Sequence, residues 1–140
     1  QPTFASVKTG DLLLLMGYPS AENGKLFAST VQVLSDSEAE TALDALKHAG
    51  DEEGFIPYDR NAEVIVRGHA EIGMSGGGAF DMEGRLVGIT IRKSLANVKV
   101  PIVRIVRMDY VVSNMHETLE NLTEETQTAI IPFLDRSLLN

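Results

Sequence analysis

Apolar residues in this chain come in short bursts, each closed by glycine, proline or charge. Leu12–Met16, the longest run, is strand-sized and ends at Gly17-Tyr18-Pro19 and the loop through Asn23-Gly24. Leu26–Leu34 alternates through Phe27, Ser29, Val31 and Val33 and predicts a second strand. Ser37-Glu38-Ala39-Glu40 reads as a capping box, and Ala39, Leu43 and Leu46 follow at helical spacing until Gly50. Asp51–Arg60 is a polar loop around Phe55-Ile56-Pro57-Tyr58, and Ala62–Arg67 is β-prone. Ala79–Asp81, the turn Met82-Glu83-Gly84 and Arg85–Arg92 predict a hairpin. Val98–Arg107 reads as the sixth strand, with Pro101 marking an edge or a bulge. Asp109 can cap a last helix whose face is Val112, Met115, Leu119 and Leu122. The tail 123–140 carries Ile130, Ile131, Phe133, Leu134, Leu138 and Leu139 around Pro132 and is expected to dock or to act as a linker. Six strands and a closing helix predict a mainly β fold, either a small antiparallel barrel or a sandwich.

Composition narrows the class. At 140 residues the chain is the size of one domain. With 44% hydrophobic and 23% charged residues, disorder, collagen-like repeats and coiled coil are excluded. No apolar run approaches a membrane span. Twelve basic against twenty acidic residues give a net charge of −8, which argues against nucleic acid as a partner. Acids are dense from Asp36 to Glu53, whereas Arg85–Arg107 holds six bases and no acid. Both stretches read as solvated, a helix face beside basic strand edges. The absence of cysteine excludes a disulfide framework, a Cys-ligated metal and a thiol nucleophile. Gln1-Pro2-Thr3-Phe4 shows neither a basic nor an apolar leader and reads as a processed or trimmed end.

Gly73-Met74-Ser75-Gly76-Gly77-Gly78 is the stretch that asks for chemistry. Glycine at 73 permits an unusual backbone just before the serine, and the later glycines allow close approach of another chain. The amides of Gly73 and Ser75 can then share one small space and hold an oxyanion, each worth about 3–4 kcal/mol in the transition state. A plain glycine-rich turn is the bland alternative. The stretch also fits G-x-S-x-G, but that elbow needs a helix after the serine, and here more glycines and a short strand follow. A phosphate loop lacks its Gly-Lys-Ser/Thr ending.

Gly73-Met74-Ser75-Gly76-Gly77, a short strand, an acidic-Gly turn and Leu86-Val87-Gly88-Ile89-Thr90 resemble the nucleophile region of trypsin-like serine proteases. Within that family the likeness runs toward the bacterial high-temperature-requirement branch. Gly10-Asp11-Leu12 through Gly17-Tyr18-Pro19, then Ala28-Ser29-Thr30-Val31, look like the opening strands of its second barrel. The resemblance implies a six-stranded antiparallel β-barrel over residues 1–122, the C-terminal half of a protease, with an inserted helix within 35–61 and a closing helix. It implies Ser75 as nucleophile, the amides of Gly73 and Ser75 as oxyanion hole, and no cofactor. The strand through Gly88, Ile89, Thr90 and Ile91 would line the specificity pocket and pair with a polypeptide substrate. His69, six residues before the serine, would lie near the pocket floor and favour an acidic or polar side chain. Met74 departs from the usual Asp or Asn, and Gly78 from a common Pro.

Serine attack needs a base, normally a His oriented by an Asp. In the family both come from the first barrel, and His48, His69 and His116 stand in no such motif and lack metal-ligand spacing. The expectation is therefore a serine endopeptidase fragment, inactive alone and lacking its N-terminal barrel. The rival is an inactive homologue serving as a peptide-binding or regulatory module. Self-association through the apolar tail is also expected. Of possible locations, a periplasmic or secreted one is favoured.

Overall fold

In the computed structural model, which describes residues 6–19, 24–121 and 123–130, the first two apolar runs pair as antiparallel strands. β1 (Leu12–Gly17) lies against β2 (Phe27–Val33), in register from Leu12↔Gln32 to Gly17↔Phe27. Four further strands follow: β3 (Glu63–Arg67), β4 (Gly78–Phe80), β5 (Leu86–Lys93) and β6 (Ile102–Arg107). All pairings are antiparallel, and the sheet closes on itself in the order β1-β2-β3-β6-β5-β4. The chain thus forms a six-stranded ring, the closed alternative of the two that the spacing left open. Its closing join is short, with Leu14↔Phe80 and Leu15↔Ala79 as the register between β1 and β4.

The alternation along the strands decides what lies inside. Leu13, Leu15, Val31, Val33, Val64, Val66, Val103 and Ile105 face the interior, joined by Ala79 and Val87. Ile65 and Ile102 face outward and are covered by α1 (Asp36–His48) through Ala39, Ala42, Leu43 and Leu46. Each such leucine contributes roughly 1.5–3 kcal/mol by leaving water.

Three local expectations shift. The capping box of α1 is Ser35 with Glu38, not Ser37 with Glu40: Glu38 N donates to Ser35 Oγ at 3.1 Å, and Ser35 N to Glu38 Oε1 at 3.0 Å. The S-x-x-E spacing occurs twice, and Leu34 N still donates to Ile65 O at 3.1 Å, so the helix starts directly as the chain leaves the sheet. β6 begins at Ile102, not Val98. Pro101 has no N–H to give a ladder, and Ser94 frames the entry: Ile102 N donates to Ser94 Oγ at 2.9 Å and Ser94 N to Ile102 O at 3.0 Å. The last helix, α2 (Met108–Asn121), starts one residue ahead of Asp109.

The charged stretches are not simply solvated. Arg104 is fully buried on the outer face of β6 beneath a 3-10 turn at Glu52–Phe55. Its Nη1 donates to Glu63 Oε1 at 2.6 Å, and its Nη2 to the carbonyls of Glu53 and Ile56, both at 2.8 Å. Buried Glu53 accepts from Arg92 Nε at 2.9 Å and lies 3.2 Å from Arg104 Nε. Acid-rich and base-rich segments far apart in sequence therefore meet here, because an unpaired buried guanidinium is too costly to leave. Burial raises the Glu63 carboxyl above its usual range, against the opposing pull of Arg104.

α2 packs on β5 and β6 but buries none of its residues fully; Val112, Met115 and Leu119 are half-buried. A short α3 spans Glu124–Ile130. Leu122 and the tail beyond 130 lie outside the described residues, and so does the docking expected of them. Among the described residues no helix is long and apolar enough to cross a membrane.

Candidate active site

Residues 68–77 connect β3 to β4, and two β-turns in succession give this loop its shape. The Ser29 hydroxyl donates to His69 O at 2.6 Å and fixes the start. Met74 N donates to Glu71 O at 3.2 Å, closing a first turn with Gly73 in third place at φ +96°. Gly77 N donates to Met74 O at 3.0 Å, closing a second turn with Gly76 in third place at φ +91°. A positive φ at the third position is the type II geometry, which only glycine adopts without strain. Ser75 thus stands at the second position of the second turn, exposed.

Met74 and a few backbone bonds hold the middle of the loop. Met74 is 2% exposed and belongs to the interior core, where its Sδ accepts from Glu71 N at 3.3 Å. Gly17 leaves room for it, since a Cβ there would come within 3.2 Å of Met74 Cγ. Gly76 N donates to Thr90 O at 2.7 Å, and Thr90 N to Gly77 O at 2.9 Å, stitching the loop to β5. Where the resemblance has a carboxylate or carboxamide, apolar burial of Met74 anchors the turn.

The Ser75 hydroxyl donates to Ile91 O at 3.2 Å. Among the described residues, the N–H groups of Gly73 and Ser75 have no acceptor. Gly73 and Ser75 line a cavity of about 490 Å³ together with Met16, Gly17, Tyr18 and Phe80. The loop therefore combines an exposed hydroxyl with two uncommitted amide donors, an arrangement that suits a nucleophile and an oxyanion hole but holds no base.

The other anticipated residues are placed unevenly. Gly88 and Ile89 lie between β4 and β6, opposite Ala79 and Gly78 on one side and Arg107 and Val106 on the other. With both backbone edges taken, they have none to offer a substrate strand. β4 reaches no further than Ile89, so a free edge of β5 begins beyond Thr90, at Ile91. Thr90 is buried, and its Oγ1 has no hydrogen-bond partner among the described residues. His69 is not enclosed as a pocket floor: its side chain is 71% exposed, with Nε2 3.7 Å from Glu71 Oε1. His48 lies on α1, Nδ1 2.8 Å from Asp44 O, and His116 lies on α2. None of the three imidazoles hydrogen-bonds to Ser75. Two residues near the loop were not anticipated in these positions: the core anchor Met74, and Lys93, whose Nζ donates to Ala70 O at 2.6 Å.

No protein-family model matches the sequence, and no curated protein does. Solved structures do match. Kallikrein-related peptidase 10 in complex with Zn2+ aligns with a TM-score of 0.58 at 16% identity, over 87% of this chain and 56% of that one. The inactive form of a mutant of Rv3671c from M. tuberculosis aligns at 0.55 and 16% identity, over 86% and 54%. The active form of the Rv3671c protease aligns at 0.52 and 22%, over 79% and 44%. The chain thus spans about half the length of these structures. Its sheet and helices are arranged in the fold of trypsin-like serine proteases.

Proposed function

We propose that this chain is the C-terminal, nucleophile-bearing barrel of a trypsin-like serine endopeptidase, with residues 1–122 as the barrel and its closing helix. The observation that carries the reading is the double turn, which presents an exposed Ser75 beside two amides without acceptors. Ser75 Oγ attacks the scissile carbonyl as its proton passes to a histidine held by an aspartate, both supplied by an N-terminal barrel. The carbonyl oxygen, now negative, accepts hydrogen bonds from Gly73 N–H and Ser75 N–H. The amine leaves with the proton, and water then releases the acyl group from Ser75. The substrate backbone pairs with the free edge of β5 from Ile91 onward, displacing the Ser75 hydroxyl from Ile91 O. Placement in the high-temperature-requirement branch rests on residues 73–90 alone.

A longer protein that includes the upstream barrel, treated with a fluorophosphonate probe, tests this. Labelling of Ser75 that Ser75→Ala abolishes is the expected result. The 140-residue chain alone, without the base, should stay unlabelled. A second reading, an inactive homologue that holds peptides, is favoured by one observation: the Ser75 hydroxyl is spent on a carbonyl and no imidazole touches it. An unlabelled Ser75 in a folded longer protein would decide for that reading.

A further inference from the structure

The arginines around the sheet are committed, five of them to carboxylates and Arg67 to Gln32 Oε1 at 2.6 Å. Arg60, Arg85, Arg92, Arg104 and Arg107 each pair with a carboxylate. Half-buried Lys93 does not: among the described residues its ammonium has no acidic partner and gives one hydrogen bond, to Ala70 O. An ammonium has three donors, so two remain. In a chain of net charge −8, an uncompensated ammonium at this place is conspicuous.

Its position gives it a use. Lys93 ends β5, two residues beyond Ile91, whose carbonyl takes the Ser75 hydroxyl. The register sets Lys93 opposite Val103 and Thr90 opposite Ile105, and both partners belong to the interior core. Lys93 and Thr90 therefore share the inward side of the sheet. Ala70, five residues before Ser75, closes the same corner through its carbonyl. An ammonium with two spare donors and the unpaired Thr90 hydroxyl thus stand on one face, beside the edge that is free for a peptide. Both suit a carboxylate, whose two oxygens accept charge-assisted hydrogen bonds. Glu71, which directly follows Ala70, is turned to His69 Nε2 at 3.7 Å.

We propose that Lys93 is the specificity-determining residue of this site and selects a peptide with a carboxylate side chain, Glu or Asp, at the residue seated beside Ser75. The inference rests on the reading of Ser75 as a peptide site but not on turnover. The preference assigned to His69 from sequence passes to Lys93, because His69 is exposed and faces an acid.

Titration of the 140-residue chain with short peptides, followed by amide chemical shifts, tests it. Three probes are used: a peptide amide ending in Glu, the same amide ending in Gln, and the Gln peptide with a free C-terminal carboxylate. The Glu amide should bind at least about tenfold tighter than the Gln amide, and the free terminus should not reproduce that gain. Lys93→Met should erase the difference and Lys93→Arg should keep it. The conservative variant guards against a folding artefact. Equal binding of the two amides, no binding of any peptide, a preference that survives Lys93→Met, or a gain from the free terminus alone overturns the proposal. Because binding is read, the result is separate from fluorophosphonate labelling, which tests the nucleophile itself.

Discussion

Gly73 shows how little of this site resides in side chains. At φ +96° an alanine would carry strain of about 1–2 kcal/mol, which the chain can relieve by turning the Ile72–Gly73 peptide over. Gly73→Ala in the longer protein is expected to lower turnover by roughly 10²–10³-fold, the usual cost of one oxyanion donor. The melting curve should move little. Ser75→Ala should change stability by less than about 0.5 kcal/mol, since only an exposed bond to Ile91 O is lost. A large loss of stability in either variant would mean that the loop is built to hold the fold. The glycines and the serine were legible because their spacing carries chemistry. Met74 was not, since a buried methionine in a glycine-rich loop leaves no periodic trace. Lys93 escaped because its hydrogen bond to Ala70 joins residues 23 apart.

At the level of elements, two charged side chains clamp segments that the sequence leaves separate. Asp51 accepts from Glu53 N at 2.9 Å and from Leu95 N and Ala96 N, both at 2.7 Å, tying the end of α1 to the loop after β5. Burial alone would raise this carboxyl, but the backbone donors of Ala96, Glu53 and Leu95 outweigh it and hold the group below its usual value. The stability it contributes is therefore present above the unfolded pKa of about 3.9 and lost as pH falls through the folded value. Asp51→Asn should cost about 2 kcal/mol at pH 7 in urea unfolding. The gap from wild type should narrow below about pH 4. A pH-independent gap would refute the clamp. Glu53→Ala strips a partner from fully buried Arg104 and from Arg92 and is expected to cost about 3–5 kcal/mol. Strands were readable from period two and apolar runs. The extent of β6 was not, because valines 98 and 100 carry strand propensity while Pro101 withholds the bond that pairing needs. The Arg104 cluster was invisible because it depends on which distant segment the fold lays across β6.

As a whole molecule, the ring follows from six short runs at turn-bounded spacing, and the choice of closure over a sandwich came from the β1–β4 register. The chain spans about half the length of the proteases it aligns with, and exposed Leu12, Tyr18 and Leu26 give it apolar surface to share. Light scattering of the 140-residue chain at high concentration should report a mass above the monomer; a monomeric mass throughout removes that expectation. The two-residue register that closes the ring has its own effect on heating. β4, three residues long, follows directly from the glycine loop, so a breach at this join opens next to the serine. Thermal fluctuations that part β1 from β4 would let Ser75 and its amides drift while the other strands stay paired. Inactivation should then run ahead of melting, and the amides of β4 should exchange with solvent before those of β3 and β6.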